Sequence, residues 1–121
     1  MKNLSKLDEF AVNAFLITSK KLIHENKKEF AWYRRLKING KEISARQALY
    51  EIGVLNEKQL WNYVLELTPS ELLDIEMDHD RRRDYNSEMY KFIKKINGKD
   101  VYIKLTINSK GLLCLSFHES Y

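Results

Sequence analysis

The apolar residues of this chain keep two rhythms. Before residue 78 they recur mostly every three or four positions, and after residue 87 they alternate with polar ones. In the first stretch Leu7, Phe10, Ala11, Ala14, Ile17 and Lys21 follow i, i+3, i+4 spacing. That spacing predicts a helix from residue 5 to about 25 with an apolar stripe ending in a snorkelling lysine. Ser5 is placed to cap it, with Asp8 and Glu9 near its positive end. FAWYRRLKI, then Asn39-Gly40, then KEI reads as a short β-hairpin, because Asn-Gly suits a tight turn; a helix through residues 30–37 is the alternative.

Ser44 caps a short helix, ARQALYEI, that stops at Gly53. Asn56 caps a second, EKQLWNYVLEL, with Leu60, Val64 and Leu67 on one face. Thr68-Pro69 ends it and starts a third short turn, SELLDIEM. DHDRRRDYNS has little apolar content and reads as an exposed loop. Three strands follow: EMYKFIKKI, VYIKLTIN and GLLCLSFHE. Helices first and a terminal antiparallel meander define an α+β class. One domain is expected, with a leading helix and hairpin in residues 1–43, a helical segment in 44–77 and a three-stranded meander in 88–119.

Turn length decides how the last two strands match. A two-residue loop at Ser109-Lys110 pairs Leu105 with Cys114 and mixes apolar and polar faces. A three-residue loop through Gly111 pairs Ile107 with Leu113, Leu105 with Leu115 and Ile103 with Phe117, which gives one clean apolar face. The opposite face then pairs Thr106 with Cys114, Lys104 with Ser116 and Tyr102 with His118. Tyr90, Phe92 and Ile96 read as the inward set of the preceding strand, which turns Lys91 and Lys95 to the polar face; a one-residue change in the INGKD turn presents Lys94 instead.

Charge sharpens this picture. The chain of 121 residues has a formal net charge of +4. Basic residues crowd 20–46, the Arg81-Arg82-Arg83 triplet and 91–110, while acids crowd 66–80. A basic face of this kind favours polyanions. The single cysteine, Cys114, has no internal disulfide partner, and no Cys/His spacing points to zinc. No apolar run approaches the ~20 residues of a membrane span, and MKNLSKLDEF lacks a signal-peptide core. A reducing cytoplasm is the expected compartment.

An imidazole beside a phenol and ammonium groups can move a proton near neutral pH and neutralise a phosphate. Cleavage of RNA by its own 2′-hydroxyl needs a proton acceptor, a proton donor and a cation on the phosphorane, with no metal or cofactor required. Taken singly, these residues have plainer roles: Tyr102 as a sheet-packing residue, Lys104 as a solvated strand lysine, His118 as a surface residue. Asp78-His79-Asp80 is a weak divalent-ion candidate. Trp32 and Tyr33 beside Arg34-Arg35 suit base stacking, with core packing the simpler role; Trp61 and Tyr63 read as core and edge residues.

FIKKINGKDVYIKLTINSKGLLCLSFHE resembles the C-terminal end of the MqsR-like toxins of bacterial type II toxin–antitoxin systems. These have a strand with a lysine, an I-x-G turn, a V/I-Y-[IL]-K-[LI] strand and a last strand ending S-F-[HK]-E. Upstream, SARQALYEIGVLNEKQLWNYVLELTPSEL is similar to the family's two-helix segment with its L-[ST]-x-S-[ED] break. The resemblance implies a RelE-like α+β fold, a metal-independent endoribonuclease acting on messenger RNA, and neutralisation by a cognate antitoxin. By position it makes Tyr102 the active-site tyrosine, His118 the residue of the S-F-[HK]-E ending, and Lys94 the lysine before the turn. The chain departs from the family at Asp74, where a lysine is usual, and near Asn86 and Ser87, where a glutamine has no match.

The expectation is therefore an RNA-cleaving toxin. Tyr102 and His118 form its proton-transfer pair. Lys104 and one of Lys91, Lys94 or Lys95 hold the scissile phosphate beside Ser116, and Arg81, Arg82 and Arg83 grip flanking backbone. The rival is a non-catalytic module that binds nucleic acid or protein through the same basic face.

Overall fold

Two Asn-Gly turns and a β-bulge in the last hairpin decide how the central strands of this protein meet. The computed structural model describes residues 5–77 and 88–120. Its elements are α1 (Lys6–His24), β1 (Lys28–Phe30), β2 (Arg35–Ile38), β3 (Lys41–Ser44), α2 (Ala45–Glu51), α3 (Glu57–Leu65), a single 3-10 turn (Pro69–Glu71), β4 (Leu72–Met77), β5 (Glu88–Ile96), β6 (Lys99–Asn108) and β7 (Gly111–Glu119). Helices precede most of a mixed five-stranded sheet of order β1-β7-β6-β5-β4, while β2 and β3 make a separate hairpin. The fold is α+β, as the patterning predicts. Among the described residues no helix is long and apolar enough to cross a membrane.

The local signals act where the sequence puts them. Ser5, Ser44 and Asn56 cap α1, α2 and α3, each side chain accepting from the backbone N–H three residues on, at 3.1, 3.1 and 2.9 Å. Asn39-Gly40 joins β2 to β3 and Asn97-Gly98 joins β5 to β6. All four residues have positive φ, the conformation that a two-residue hairpin turn requires.

Three expectations fail, each for a tertiary reason. First, α1 buries Val12, Phe15, Leu16, Ser19 and Ile23, and leaves Leu7, Phe10 and Ile17 outside. The helix carries apolar residues on two faces, and spacing alone does not say which one the sheet covers. Second, SELLDIEM is no third helical turn beyond Glu71. Leu72–Met77 forms strand β4, because β5 offers an unpaired edge, and antiparallel pairing places Leu72 opposite Phe92 and Ile75 opposite Tyr90. The antiparallel run is thus four strands, with β1 added parallel to β7. Third, the β6–β7 turn is the two-residue loop Ser109-Lys110, with Asn108 opposite Gly111.

That third difference is resolved by a bulge. Near the turn the pairs are Ile107–Leu112, Thr106–Leu113 and Leu105–Cys114. Beyond a register shift between Lys104 and Leu105 they become Lys104–Ser116, Ile103–Phe117 and Tyr102–His118. Leu115 is the extra residue, and it lets one strand obey both registers. Cys114 consequently joins Leu105 in the core and is fully buried, rather than lying on the polar face. Gly111 (φ +130°) is required by β1: a Cβ there would lie 2.3 Å from the Lys27 carbonyl oxygen, which accepts from Leu112 N–H.

The core lies between the helices and one face of the sheet. Phe92, Ile103, Leu105 and Phe117 stand there at 0–2 % exposure, against Val12, Leu60 and Val64 of the helices. Phe15 of α1 stacks on Tyr90 with ring centroids 3.8 Å apart. Full burial of one such side chain contributes about 1.5–3 kcal/mol, so this layer sets which way every strand residue faces.

Candidate active site on the outer sheet face

Because Ile103 and Phe117 are held inward, their neighbours Tyr102, Lys104, Ser116 and His118 must face outward. Tyr102 and His118 are directly opposed across β6 and β7. Their rings stack with centroids 5.4 Å apart and 27° between planes, and both residues are half-buried. The histidine Nδ1 lies 2.8 Å from the Glu119 carbonyl oxygen. A carbonyl only accepts, so Nδ1 carries the proton and Nε2 is left as the basic nitrogen of the neutral ring.

Lys104 stands between Ser116 on β7 and Lys91 on β5. Two lysines directly opposed repel each other, and β4 supplies the counter-charge. The Lys91 ammonium donates to the Glu76 carboxylate and lies 4.0 Å from Asp74 Oδ2. The Glu76 hydrogen bond, above all, holds Lys91 protonated beyond its ordinary range. Burial pushes the Tyr102 phenol above its ordinary value. Lys91 opposes that push, Glu76 and Asp74 add to it, and Arg34 again opposes it. The phenol therefore keeps its proton at neutral pH.

Arg34 was not among the residues expected to hold phosphate. It belongs to the tight turn after β1, where Trp32 N–H bonds to the Phe30 carbonyl and Arg34 N–H to the Ala31 carbonyl. The turn is pinned from below: Glu57 of α3 accepts from the Trp32 indole at 2.8 Å and from the Trp61 indole at 3.1 Å. Arg34 thereby lines a shallow depression with Ser116, Phe117 and His118. Trp32 and Tyr33 do not pack in the core; Tyr33 is 74 % exposed. The one signal in the sequence was the Arg34-Arg35 pair, and reading FAWYRRLKI as a single hairpin arm hid the turn within it.

The other predicted residues divide. Lys95 is exposed and pairs with Asp100 at 3.1 Å. Lys94 shares the inward parity of Phe92 and Ile96, opposite Val101, and meets Glu71 at 3.2 Å. It does not stand with Tyr102 and His118, because the two-residue Asn97-Gly98 turn sets the register that turns Lys91 outward. Arg81, Arg82 and Arg83, like Asp78-His79-Asp80, Asn86 and Ser87, lie outside the described residues. Cys114 is sealed in the core, its thiol pushed far above its ordinary range by burial, and takes no part in this face.

Comparison of the chain with models of known families, with curated proteins and with solved structures gives no match in any of the three.

Proposed function

We propose that this protein is an endoribonuclease toxin that cleaves messenger RNA by acid–base chemistry on the outer face of its sheet, as the likeness of residues 44–72 and 92–119 to MqsR-like toxins suggests. The observation that carries the reading is the stacked Tyr102–His118 pair with the Arg34 guanidinium beside it on an open face. In this reading His118 Nε2 takes the proton of a ribose 2′-hydroxyl. The 2′-oxygen attacks phosphorus, and the bond from phosphorus to the 5′-oxygen breaks. The Tyr102 phenol protonates that leaving oxygen and regains its proton from the imidazolium. Products are a 2′,3′-cyclic phosphate and a 5′-hydroxyl. Arg34 and Lys104 neutralise the phosphorane, and Tyr33 offers a ring for a flanking base. Lys91 holds the phenol's surroundings rather than the phosphate, since two carboxylates already claim its charge.

The partners of this reading are messenger RNA and an antitoxin protein that covers the same face, and its compartment is the cytoplasm. The test is purified protein incubated with messenger RNA in chelator-containing buffer. Cuts ending in cyclic phosphate are expected from the wild type and not from His118→Ala; undiminished cleavage by that variant removes His118 from the mechanism. Co-expression with the product of a neighbouring small reading frame should relieve growth arrest. The acids at Asp74 and Glu76 give the rival, a non-catalytic binder, its own support, because they make the face mixed in charge rather than uniformly basic. Salt-dependent RNA binding with no cuts decides for it.

A further inference from the structure

We infer that the β2–β3 hairpin and the turn before it form an arm that holds single-stranded RNA as it leaves the Tyr102–His118 face, a step that rests on the endoribonuclease reading of that face. Charge is the first observation. Residues 33–46 carry five cations, Arg34, Arg35, Lys37, Lys41 and Arg46, against one acid, Glu42. That excess equals the formal net charge of the whole chain, +4. The lysines of the sheet are largely neutralised: Lys91, Lys94, Lys95 and Lys99 each lie within 4.0 Å of a carboxylate. Among the described residues none of the five arm cations has an ion pair, and Glu42 stands opposite Lys37 without closing one. The fold makes no use of their charge, and like charges this close in sequence repel, so a polyanion is what they lack.

Position gives the direction of the strand. The sheet runs β1-β7-β6-β5-β4, and Asp74 and Glu76 stand on β4, beyond β5. The arm lies on the other side of the site, where Arg34 and Leu36 line the depression with Ser116 and His118. Leu36 turns towards the depression, so alternation puts Arg35 and Lys37 on the outward face of the hairpin, and both are exposed. A phosphate chain leaving His118 meets carboxylates in one direction and unpaired cations in the other.

The rings give the kind of nucleic acid. Trp32 is held on three sides: Phe30 meets it edge-on at 4.7 Å, the Arg46 guanidinium lies 5.1 Å over its ring, and its indole N–H donates to Glu57. The next residue, Tyr33, is 74 % exposed, and among the described residues its side chain has neither a ring nor a hydrogen-bond partner. A free ring on a fixed turn, flanked by unpaired cations, suits an unstacked base between two phosphates. A duplex keeps its bases stacked and offers Tyr33 no face.

The test is fluorescence anisotropy of the full chain with a 2′-O-methyl RNA strand of about 12 nucleotides, which no 2′-hydroxyl chemistry can cut. Arg35→Ala with Lys37→Ala should weaken binding by roughly tenfold at low salt, and make the log–log salt dependence shallower by about 1.4. Lys20→Ala with Lys58→Ala removes equal charge from exposed helix positions and should leave that slope unchanged. Tyr33→Ala should weaken binding by roughly tenfold, Tyr33→Phe should rescue it, and a duplex of the same length should compete roughly tenfold less well. An unchanged slope in the Arg35 and Lys37 variant, or an equal loss in the helix variant, overturns the arm. A duplex that competes as well as the single strand overturns the strandedness, and a DNA strand of the same sequence bound more tightly overturns the choice of RNA. Messenger RNA left uncut by a wild type whose arm variant loses the probe removes the endoribonuclease reading and keeps the arm; cut RNA with undiminished binding by the arm variant does the opposite.

Discussion

Phe117 and His118 are neighbours in β7, and they live in different worlds. Phe117 is 2 % exposed against Ile103 and the helix layer, while His118 stands half-buried on the outer face against Tyr102. The same contrast runs through Ile103 and Tyr102 in β6, and through Phe92 and Lys91 in β5. A two-residue period gives one face to the core and leaves the other open. The difference teaches that the inner face constrains and the outer face is free to vary. Burial of Ile103 and Phe117 dictates where the phenol and imidazole point, yet nothing in the core needs a phenol or an imidazole there.

Substitution of adjacent residues can break this comparison. On the proposed reaction, His118→Ala should lower the RNA cleavage rate by about 100- to 10,000-fold, while its stability in urea stays within about 1 kcal/mol of wild type. Phe117→Ala should do the reverse in kind, with a loss of about 3–5 kcal/mol of stability measured in the same titration. Equal stability losses from the two would mean that the outer face is structural.

Gly111→Ala sharpens the point at the turn. Its φ of +130° and the 2.3 Å approach of its new Cβ to the Lys27 carbonyl predict a loss of about 1–3 kcal/mol, with β1 peeling from β7 first in hydrogen exchange. The smallest effect concerns Tyr90, whose phenol is pushed up to about 12 by burial and by its hydrogen bond to Glu88. Between pH about 10 and about 12 the unfolded chain releases this proton and the folded one does not. The stability that the protonated phenol provides is therefore whole below about pH 10 and is lost as pH rises towards 12. Tyr90→Phe should cost about 1 kcal/mol at neutral pH and give a shallower alkaline decline in thermal unfolding.

The candidate site was half legible before folding was considered. The Tyr102–His118 and Lys104–Ser116 pairs follow from alternation in two long strands, and the structure places them opposite each other. The neutral end of that hairpin, from Leu105 to Asn108, takes the other register, because a bulge can switch parity where a uniform alternation cannot. Arg34 was hidden since its approach depends on a turn pinned by Glu57, a residue of another element. Asp74 and Glu76 were hidden because a strand that pairs only at a sheet edge has little rhythm of its own.

Caps at Ser5, Ser44 and Asn56, the Asn-Gly turns and the period of β5, β6 and β7 could all be read along the chain, since each depends on groups within a few residues. The covered side of α1, the pairing of β1 with β7, the bulge at Leu115 and the counter-charges on Lys91 could not. Each is a choice among arrangements that are locally alike, and burial or charge pairing between segments distant in the chain makes that choice.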